Sequence, residues 1–584
     1  MREITVRTGG QAGDGIASIG EAIARCFSRL GLNVFGLNAY QSVIRGGHVW
    51  FQARASEQRI YSQGDGADIL YALDRAAVDV HVHDLRPGGT VVYDPEKFSV
   101  ESKDLPVGVK ALPVPTLEIA RKFTSQSILQ NAGGLGATAF LAGIPLEMAQ
   151  QVLSDSFGHK KGDVVDWNLG ASAEGYRFAE AHASVHDHAL SKHGAPKLLM
   201  NGNQAIALGA VAGGCKFLAQ YPMTPATSIM HWMAAHANAL GVVVKQAEDE
   251  LAAINMAVGA SFAGARAMTA TSGGGFALMV EAMGMAGMTE TPLVIVECQR
   301  AGPSTGLPTK TEQGDLNLML GAGQGEFPRA ILAPSQPKEA YAAAVEAFRL
   351  AEAWQTPILL ASDLHLSENL GTVDREDLPA QGKLPPLSFV EPNGHPYLRY
   401  ELTDSGVSPR AVPGQPGLQF VAGSDEHDER GHLVSDIRAG IPKWVSERRR
   451  MMDKRMRKLV GLAHQVPAPV LEGPPGAPLT FVAWGSTVGA VRDARDELAR
   501  RGKETNLLWF PAVYPLAPER LAQAFAQTRR TLLVEGNYSG QFGRLLRAEC
   551  GFVPTDRFVK YDGEPFFPHE LVAKGLEVSS GGGQ

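Results

Sequence analysis

Clustered glycines limit the fold of this chain more than any other feature of its sequence. The clusters occupy positions 8–15, 272–275 and 485–489, each between a strand-like apolar run and a stretch with helical periodicity. Glycine accounts for 65 of the 584 residues, well above the usual ~7 %. Strands that turn through glycines into helices, repeated along a chain, are typical of α/β folds with parallel sheets. The sequence therefore predicts an α/β protein.

Composition narrows the class of protein further. With 44 % hydrophobic and 20 % charged residues, the chain has enough apolar material for several cores, and at ~150 residues per domain its length argues for about four compact units. A net charge of -7 offers no basic field for nucleic acid, and no apolar run reaches the ~18 residues of a membrane span. We expect a cytoplasmic protein with no nucleic-acid or membrane partner.

The cysteines argue against a metal cluster in this chain. Cys26, Cys215, Cys298 and Cys550 are too widely spaced in sequence to form a C-x-x-C pair, a zinc knuckle or an iron–sulfur ligand run. The first three fall on predicted elements where a buried free thiol is ordinary. The sequence predicts no metal site here, so any cluster that the protein uses must sit elsewhere.

Residues 1–180 form the first predicted domain. Its predicted elements are strands at 4–6, 67–72 and 90–93, helices at 16–30 and 75–85, and a turn at 88–89. The polar stretch 181–196 is predicted to be a linker. Its histidines are His182, His186, His188 and His193. They could imitate a metal site, but we expect no ligand set of carboxylates or cysteines around them, which favours a solvated linker.

The rest of the chain predicts two further α/β domains. In residues 197–370, strands alternate with Ala- and Met-rich helices, as in a parallel sheet covered on both faces. The predicted strands are 198–200, 216–220, 242–246, 266–271 and 293–297. Residues 371–475 form an irregular connecting segment, apart from a charged helix candidate at 447–458 whose charges indicate a solvated face. Residues 476–584 form the last domain, with strands at 480–484, 506–510 and 531–535.

Two prolines frame a threonine in the segment Tyr221-Pro222-Met223-Thr224-Pro225, which follows a predicted strand. Each proline fixes its own φ and restricts the residue before it, so the loop can hold the Thr224 hydroxyl or backbone N–H rigidly against a ligand. A helix N-cap is the alternative role for Thr224, because a proline suited to the first helical position follows it. Composition alone favours the cap.

An acidic run and an arginine follow two further predicted strands. Acids 248–250 stand between a Val-rich strand and an Ala-rich helix, where such acids commonly stabilise the helix N-terminus. In open α/β sheets, however, ligands bind at the carboxyl ends of the strands. Arg300 comes at such an end, in the glycine-containing segment 299–309, and a guanidinium there can grip a carboxylate through two hydrogen bonds. We therefore expect a hydroxyl, a carboxylate and an arginine at three strand ends of one sheet.

Taken in order, these motifs resemble those of the α subunit of 2-oxoacid:ferredoxin oxidoreductases. The resemblance rests on segments 221–225, 247–253, 271–275, 299–306 and 535–541. It extends to segments 9–15 and 44–48, which resemble the family's γ domain, here fused in front, so it covers nearly the whole chain. Met223 replaces the usual isoleucine, and Ser18 stands where a G-x-G-x-x-G loop has its third glycine, which weakens a dinucleotide-binding interpretation.

The resemblance implies a thiamine diphosphate enzyme whose cofactor site is divided between two subunits. The 197–370 domain is then of the pyrimidine-binding type, and the 476–584 domain is similar to a transketolase C-terminal domain. The family's diphosphate motif is Gly-Asp-Gly followed at a set distance by Asn, and neither 13–15 nor 64–66 fits it. A β subunit would therefore supply the diphosphate and Mg²⁺ site together with a [4Fe–4S] cluster. The implied assembly is (αβ)₂, with coenzyme A as co-substrate and ferredoxin as electron acceptor.

The resemblance also assigns a catalytic residue and cofactor contacts. Glu250, with Glu248 as the alternative, would hydrogen-bond the aminopyrimidine ring and so promote the cofactor's own proton transfer. The 221–225 segment would contribute to the cofactor site through Tyr221, Pro222 and Thr224.

Substrate contacts are implied in both the second and the first domain. Thr224 and Arg300 would hold the carboxylate and keto oxygen of a 2-oxoacid. Arg45 and His48, in the γ-like domain, would lie towards the far end of the substrate, and a second cation there suits a dicarboxylate. The alternative role for Arg45 is an ion pair with a surface acid. The γ-like loop would lie near the coenzyme A entrance through Gly10, Gly13 and Gly15, although a tight strand–helix turn explains these glycines equally well.

The expected reaction is reversible, coenzyme A-dependent oxidative decarboxylation of a 2-oxoacid. We favour 2-oxoglutarate, which would give succinyl-CoA, CO₂ and reduced ferredoxin, and which in reverse would serve the reductive tricarboxylic acid cycle. Pyruvate and branched-chain 2-oxoacids are alternative substrates. Two other functions stay open, namely a transketolase-like thiamine-dependent transferase and a non-catalytic α/β subunit that scaffolds a complex or stores coenzyme A.

Overall fold

The computed structural model describes residues 2–41, 46–158, 162–379, 384, 386–435 and 441–580. In chain order the strands are β1 Glu3–Gln11, β2 Asn33–Ala39, β3 His48–Ser56, β4 Ala67–Ala72, β5 Leu85–Tyr93, β6 Lys110–Pro113, β7 Leu198–Asn201, β8 Phe217–Gln220, β9 Val243–Gln246, β10 Ala267–Thr271, β11 Leu293–Gln299, β12 Ala330–Leu332, β13 Pro357–Asp363, β14 Leu370–Val373, β15 Val470–Glu472, β16 Leu479–Trp484, β17 Thr505–Phe510, β18 Ala512–Tyr514, β19 Arg530–Glu535 and β20 Asp556–Val559.

The helices, again in chain order, are α1 Ile16–Arg29, α2 Arg75–His81, α3 Thr116–Arg121, α4 Gln130–Leu141, α5 Leu146–Phe157, α6 Val164–His182, α7 Gly202–Ala212, α8 Thr227–Leu240, α9 Glu250–Phe262, α10 Gly273–Met288, α11 Leu316–Leu320, α12 Pro337–Trp354, α13 Leu364–Glu368, α14 Ile441–Gln465, α15 Thr487–Arg500, α16 Pro518–Phe525, α17 Gln541–Cys550 and α18 Pro568–Ser580. Across the described residues, no helix combines the length and the apolar character needed to cross a bilayer.

The chain forms two compact units. The first unit comprises Met1–Asn201, Glu368–Asp377 and Phe567–Leu571, and the second comprises Gly202–Ser367, Leu378–Phe566 and Val572–Gln584. Three sheets run through the described residues, one in the first unit and two in the second. The predicted α/β class is therefore confirmed.

In the first unit, strands lie in the order β6-β5-β4-β1-β3-β2-β14-β7. The apolar residues at helical spacing form the predicted face of α1, where Ile16, Ile19, Ile23 and Phe27 are buried in the core. Strand β7 (Leu198–Asn201) was predicted to belong to the second domain's sheet, but it pairs antiparallel with β14 in the first unit. That prediction of sheet membership was wrong, because the partner of β7 returns from a distant part of the sequence.

The predicted turn at Gly88-Gly89 is a break inside a strand. Both glycines lie within β5, and the pairing with β4 jumps from Ala67↔Leu85 to Ile69↔Thr90 at this point. Gly88 has a φ of 89°, which only glycine adopts at little cost. The glycines therefore accommodate extra residues in a bulge, and the strand continues through them.

The second unit contains the sheet β18-β12-β13-β11-β10-β8-β9, whose strands β8 to β13 pair in parallel. The third sheet has the order β15-β17-β16-β19-β20, with β17, β16, β19 and β20 in parallel. The two sheets share a core that includes Phe276, Met279, Trp484, Phe510 and Phe542. The parallel pairing and this packing confirm the predicted parallel, helix-covered sheet.

The sequence predicted a solvated charged face for helix α14, and this holds for only part of the helix. The charged residues 448–450, 453 and 457 are exposed. Lys454 and Lys458 are completely buried, and both ammonium groups pair with the buried carboxylate of Glu290. Arg399 adds a hydrogen bond to the backbone carbonyl of Glu290. A buried carboxylate with neighbouring cations satisfies charges that would be costly alone, so this network fastens α14 and the segment around Arg399 to the end of α10.

Candidate active site

The proline-framed loop lies at the carboxyl end of β8. Gln220 ends that strand, and its Nε2 donates to the Ala226 carbonyl at 2.9 Å, so the loop closes on itself. Arg300 Nη1 donates to the Thr224 carbonyl at 2.9 Å. The next helix begins only at Thr227, with Ala226 as its N-cap. Thr224 is therefore not a helix cap, and its side chain remains available to the site.

The acidic run separates into residues with different environments. Asp249 is the N-cap of α9, and its carboxylate accepts from the Ala252 N–H at 2.7 Å. Glu250 is the first helical residue and is only 5 % exposed, whereas Glu248 is exposed. The helix-stabilising role considered for the run therefore belongs to Asp249, and Glu250 is the carboxylate held inside.

Glycines of α10 make room for the Glu250 carboxylate. A Cβ atom at Gly275 would stand 2.4 Å from Glu250 Oε1 and 2.1 Å from Thr271 Oγ1. A Cβ atom at Gly274 would stand 3.2 Å from Met223 Cε. The first turn of α10 therefore meets the 221–225 loop and the start of α9 in one place, where any side chain larger than hydrogen at position 275 would collide with the carboxylate.

The C-terminal motif holds the loop that follows Arg300. The Gln313 side chain donates to the Trp484 carbonyl at 2.9 Å and accepts from the Gly536 N–H at 2.8 Å. Asn537 Nδ2 donates to the Gln313 carbonyl, and Gln541 Nε2 donates to the Gly314 carbonyl. Segment 535–541, a motif of the family resemblance, thus acts as a clamp on residues 313–317.

Sequence reasoning missed a group of acids beneath this loop. Glu297 lies on β11 and is completely buried, and no hydrogen-bond donor among the described residues reaches either of its carboxyl oxygens. The Asp315 carboxyl contacts it, and a Cβ atom at Gly273 would stand 2.4 Å from Asp315 Oδ2. The available signal was an acid inside the otherwise apolar run 293–298, which is unusual unless the acid has a partner or a role.

Glu535, at the base of the clamp, makes stability depend on pH. Burial raises the pKa of this carboxyl from 4.5 to about 7, although Phe542 N–H, Asn537 and Trp484 donate to it. Because the pKa of Glu535 is higher in the folded than in the unfolded state, the protonated carboxyl favours folding, fully so below pH 4.5. This stabilisation is lost as the pH rises through 7, which lowers the free energy of unfolding by roughly 3 kcal/mol. We therefore expect Glu535→Gln to gain stability relative to wild type between pH 5 and pH 8 in denaturant unfolding. A difference that does not change with pH would contradict this, and the exposed Glu504→Gln serves as the control.

The glycine-rich loop of the first unit connects β1 to α1. Gly13 and Gly15 have φ values of 103° and 80°, and Asn131 Nδ2 donates to the Asp14 carbonyl at 2.7 Å. A Cβ atom at Gly10 would stand 2.9 Å from Ile16 Cδ1. The tight strand–helix turn therefore requires these glycines, which is the structural role that the sequence analysis gave as the alternative to a place near coenzyme A.

His48 lies in a network of the same unit. Its Nε2 is 2.8 Å from Nε2 of His81, whose Nδ1 is 3.0 Å from Arg7 Nη1. Burial lowers the pKa of both imidazoles, so neutral rings are favoured beside the Arg7 guanidinium. Arg45, the other substrate residue expected in this domain, lies outside the described residues.

The histidines of the 181–196 stretch do have a carboxylate nearby. His188 Nδ1 is 3.1 Å from Oδ1 of the buried Asp68, and His186 joins them. The expectation that no carboxylate accompanies these histidines was therefore wrong. Asp187 stands between His186 and His188 in the sequence, and Asp68, which is distant in sequence, contacts His188. The other Asp68 oxygen accepts from Arg86 at 2.9 Å and the Thr5 N–H at 2.7 Å. The positive charge of Arg86 on the Asp68 carboxylate disfavours binding of a metal cation there. The hydrogen bonds to Asp68 are sufficient to explain why these side chains lie together.

The second unit thus brings Thr224, Glu250 and Arg300 to positions after the carboxyl ends of β8, β9 and β11 of one sheet. The first unit carries Gly10, Gly13, Gly15 and His48. Tyr221 is 38 % exposed at the rim of the loop, and Pro222 is partly exposed beside it. This arrangement offers a buried carboxylate, a cation and a carbonyl-pinned threonine within one compact unit.

Two protein-family models match the chain. Residues 208–444 match the model described as pyruvate flavodoxin/ferredoxin oxidoreductase, thiamine diphosphate-binding, and residues 5–178 match the model of pyruvate ferredoxin/flavodoxin oxidoreductase. The class defined by these matches is a thiamine-binding 2-oxoacid oxidoreductase.

Curated relatives and a solved structure agree with this class. The chain is 30 % identical to the 2-oxoacid:ferredoxin oxidoreductase subunit alpha of Sulfolobus sp., over 98 % of this chain and 96 % of that protein. It is 30 % identical to the 2-oxoglutarate oxidoreductase subunit KorA of Mycobacterium tuberculosis, over 98 % and 91 %. The 2-oxoglutarate:ferredoxin oxidoreductase structure from Magnetococcus marinus, with 2-oxoglutarate, coenzyme A and succinyl-CoA bound, superposes with a TM-score of 0.91 at 34 % identity, covering 99 % of this chain and 100 % of that chain. The chain belongs to the 2-oxoacid:ferredoxin oxidoreductases, a family of enzymes, as an alpha subunit with a γ-type domain in front.

Proposed function

We propose that this chain, together with a β subunit, catalyses reversible oxidative decarboxylation of 2-oxoglutarate. The reaction converts 2-oxoglutarate, coenzyme A and oxidised ferredoxin to succinyl-CoA, CO₂ and reduced ferredoxin. The observation that supports it most is the Glu250 carboxylate, buried at the end of the sheet against Gly275 and close to the Arg300–Thr224 contact.

The residues around Glu250 fit the aminopyrimidine half of thiamine diphosphate. A buried carboxylate can accept or share a proton with a ring nitrogen, and Gly275 lets the Glu250 carboxylate lie close against the first turn of α10. We propose that Tyr221, Pro222 and Thr224 line the same cofactor site, since Met223 of their loop approaches Gly274 at the start of α10. When bound, thiamine diphosphate supplies a carbanion able to attack the ketone of the substrate.

The side chains of this chain then bind and orient the substrate. Arg300 reaches the Thr224 carbonyl through Nη1, and a planar guanidinium offers further N–H groups for a carboxylate. We propose that Arg300 and the Thr224 hydroxyl hold the C1 carboxylate and keto oxygen. We propose that the Glu250 side chain hydrogen-bonds the aminopyrimidine ring on the other side of the site.

Two observations support the proposed preference for 2-oxoglutarate, namely the names of similar proteins and the presence of Arg45 in segment 44–48. Both the Mycobacterium tuberculosis relative and the Magnetococcus marinus structure are named for 2-oxoglutarate. We propose that Arg45, assisted by His48, pairs with the distal carboxylate of the substrate. Gly10, Gly13 and Gly15 are proposed to lie near the coenzyme A entrance.

Arg45→Ala is expected to change substrate preference. Loss of a charge-assisted contact to the distal carboxylate costs roughly 2–3 kcal/mol, so kcat/KM for 2-oxoglutarate should fall about 30–100-fold while a monocarboxylic 2-oxoacid is little affected. A substrate panel that includes pyruvate and branched-chain 2-oxoacids measures this change. Equal loss for both substrate kinds would contradict the assignment.

The proposed partner is a β subunit that carries the diphosphate and Mg²⁺ site and a [4Fe–4S] cluster, in a cytoplasmic (αβ)₂ assembly. The wide spacing of the four cysteines supports a cluster on another chain. Relatives named as alpha subunits support the existence of partners. Work in the reductive tricarboxylic acid cycle would use the same reaction in the direction of CO₂ fixation.

Co-purification and dye reduction test this function. A brown partner of about half this mass, with thiamine diphosphate and acid-labile sulfide, should copurify, and the complex should reduce viologen only with a 2-oxoacid and coenzyme A. Carbon transfer between sugars without dye reduction would support a transketolase-like transferase instead. Turnover by the isolated chain would show that the cofactor site is not shared.

A further inference from the structure

The buried Glu297 carboxyl is unexplained by the proposed cofactor and substrate contacts. It has no exposed surface, and within the part of the chain that the structure describes neither of its oxygens meets a hydrogen-bond donor. Burying an ionised carboxylate without donors or a cation is very costly, so such a group keeps its proton. Strand pairing places Asp363 of β13 opposite Gln299, which brings another acid to the same region.

Asp315 connects Glu297 to the candidate site. Its backbone N–H donates to Gln299 Oε1 at 3.0 Å, two residues along β11 from Glu297. Its carboxyl contacts Glu297 and lies against Gly273 at the start of α10, where Glu250 lies against Gly275 two residues later. Asp315 and Glu250 therefore reach the same helical turn from different elements.

Glu312 lies next to Asp315 and continues the row towards solvent, since a Cβ atom at Gly314, the neighbour of Asp315, would stand 3.4 Å from Glu312 Oε1. It is partly exposed, and burial together with the neighbouring Asp315 charge raises its pKa to about 7. Burial also raises the pKa of Asp315, against the opposing effects of Glu297 and Arg300. For Glu297, burial first, and then Asp315 and Asp363, raise the pKa well above its ordinary value. From the core outwards, the row therefore consists of the neutral carboxyl of Glu297, the carboxyl of Asp315 that can share its proton, and the carboxyl of Glu312 that can exchange a proton with solvent.

We propose that Glu297, Asp315 and Glu312 form a proton-transfer site of this enzyme, separate from Glu250. Glu297 stays protonated and donates to Asp315, Asp315 exchanges a proton with the reaction site, and Glu312 exchanges it with water. The titratable and charged groups facing these carboxyls are Asp363 from β13, Arg300 from the segment after β11, and the three acids themselves.

The proposed reaction needs such a route, and this part of the inference rests on the proposed function. A 2-oxoacid carboxylate and the coenzyme A thiol yield a thioester, CO₂, one proton and two electrons. The C1–C2 bond and the S–H bond break, the C–S bond forms, and ferredoxin takes the electrons. The thiol proton is left over in the forward direction and is required in reverse. Asp315 accepts it, and Glu312 releases it to water.

The protonation of Glu297 is tested without any turnover, by native capillary electrophoresis of the full chain at pH 7.5. Glu297→Gln replaces a neutral acid with a neutral amide, so its mobility should equal that of wild type. The exposed Glu504→Gln should shift mobility by one unit charge out of a net charge of -7. A one-charge shift in Glu297→Gln would show an ionised carboxylate and overturn the proposal.

The role in proton transfer is tested on the assembled enzyme. Glu312→Gln should remove a limb near pH 7 from the profile of kcat, and Asp315→Asn should lower kcat by about 100-fold with KM little changed. Unchanged pH profiles and kcat in both variants would overturn the proton-transfer role. A wild-type complex inactive with every 2-oxoacid would instead refute the proposed function, and the mobility result would still decide the charge of Glu297.

Discussion

Glu250→Ala is expected to abolish 2-oxoacid-dependent dye reduction while leaving the fold and the assembly with the partner intact. The carboxylate is 5 % exposed and stands at the end of the sheet, where a general acid–base contribution is worth about 100- to 10,000-fold in rate. Steady-state rates at saturating 2-oxoacid and coenzyme A measure this effect. Thermal unfolding and gel filtration establish that the variant is folded and assembled.

Glu248→Ala is the matched control, since it removes the same group two residues away from an exposed position. Its rate should stay close to that of wild type. Normal turnover of Glu250→Ala would remove this residue from the mechanism. A loss of activity in Glu248→Ala alone would instead assign the catalytic role to Glu248, the alternative that the sequence left open.

Gly275→Ala is expected to lower activity about 100-fold with only a small change in stability. The added methyl would stand 2.4 Å from Glu250 Oε1 and 2.1 Å from Thr271 Oγ1, so these side-chain ends must move. Displacement of a catalytic group by about 1 Å can cost 10²-fold in rate. The effect should fall on kcat, and it is measured by steady-state kinetics alongside thermal unfolding.

Gly259→Ala provides the comparison for Gly275→Ala. Gly259 lies inside α9, and a Cβ atom there would meet nothing within 4 Å. Alanine should therefore stabilise the helix by up to about 1 kcal/mol and leave the rate unchanged. If both glycine variants keep full activity, the space at position 275 has no part in holding Glu250.

Local patterns were sufficient to predict most elements of the fold. Strand β4 has the predicted bounds 67–72, and the apolar face of α1 follows from its spacing. Sheet membership was less accessible, because β7 pairs with a strand far away in sequence. The charges of α14 were misread because their partner, Glu290, lies at the end of another helix.

The candidate site shows the same division. Thr224, Glu250 and Arg300 were found because strand ends, prolines and acids are visible in the sequence. Asp315 and Glu297 were missed, since their significance depends on burial and on contact between separate segments. Asp68 beside His188 is another pairing that sequence spacing does not reveal.

The clamp at 535–541 has a consequence for how this protein is made. The ribosome synthesises the loop around Gln313 more than two hundred residues before the side chains that fasten it, since Asn537 and Gln541 donate to its carbonyls from the far end of the polypeptide. A nascent or prematurely terminated product therefore carries Arg300 and Asp315 on a segment without its fastening. The fastening of this loop is completed only after residues 537–541 have been synthesised.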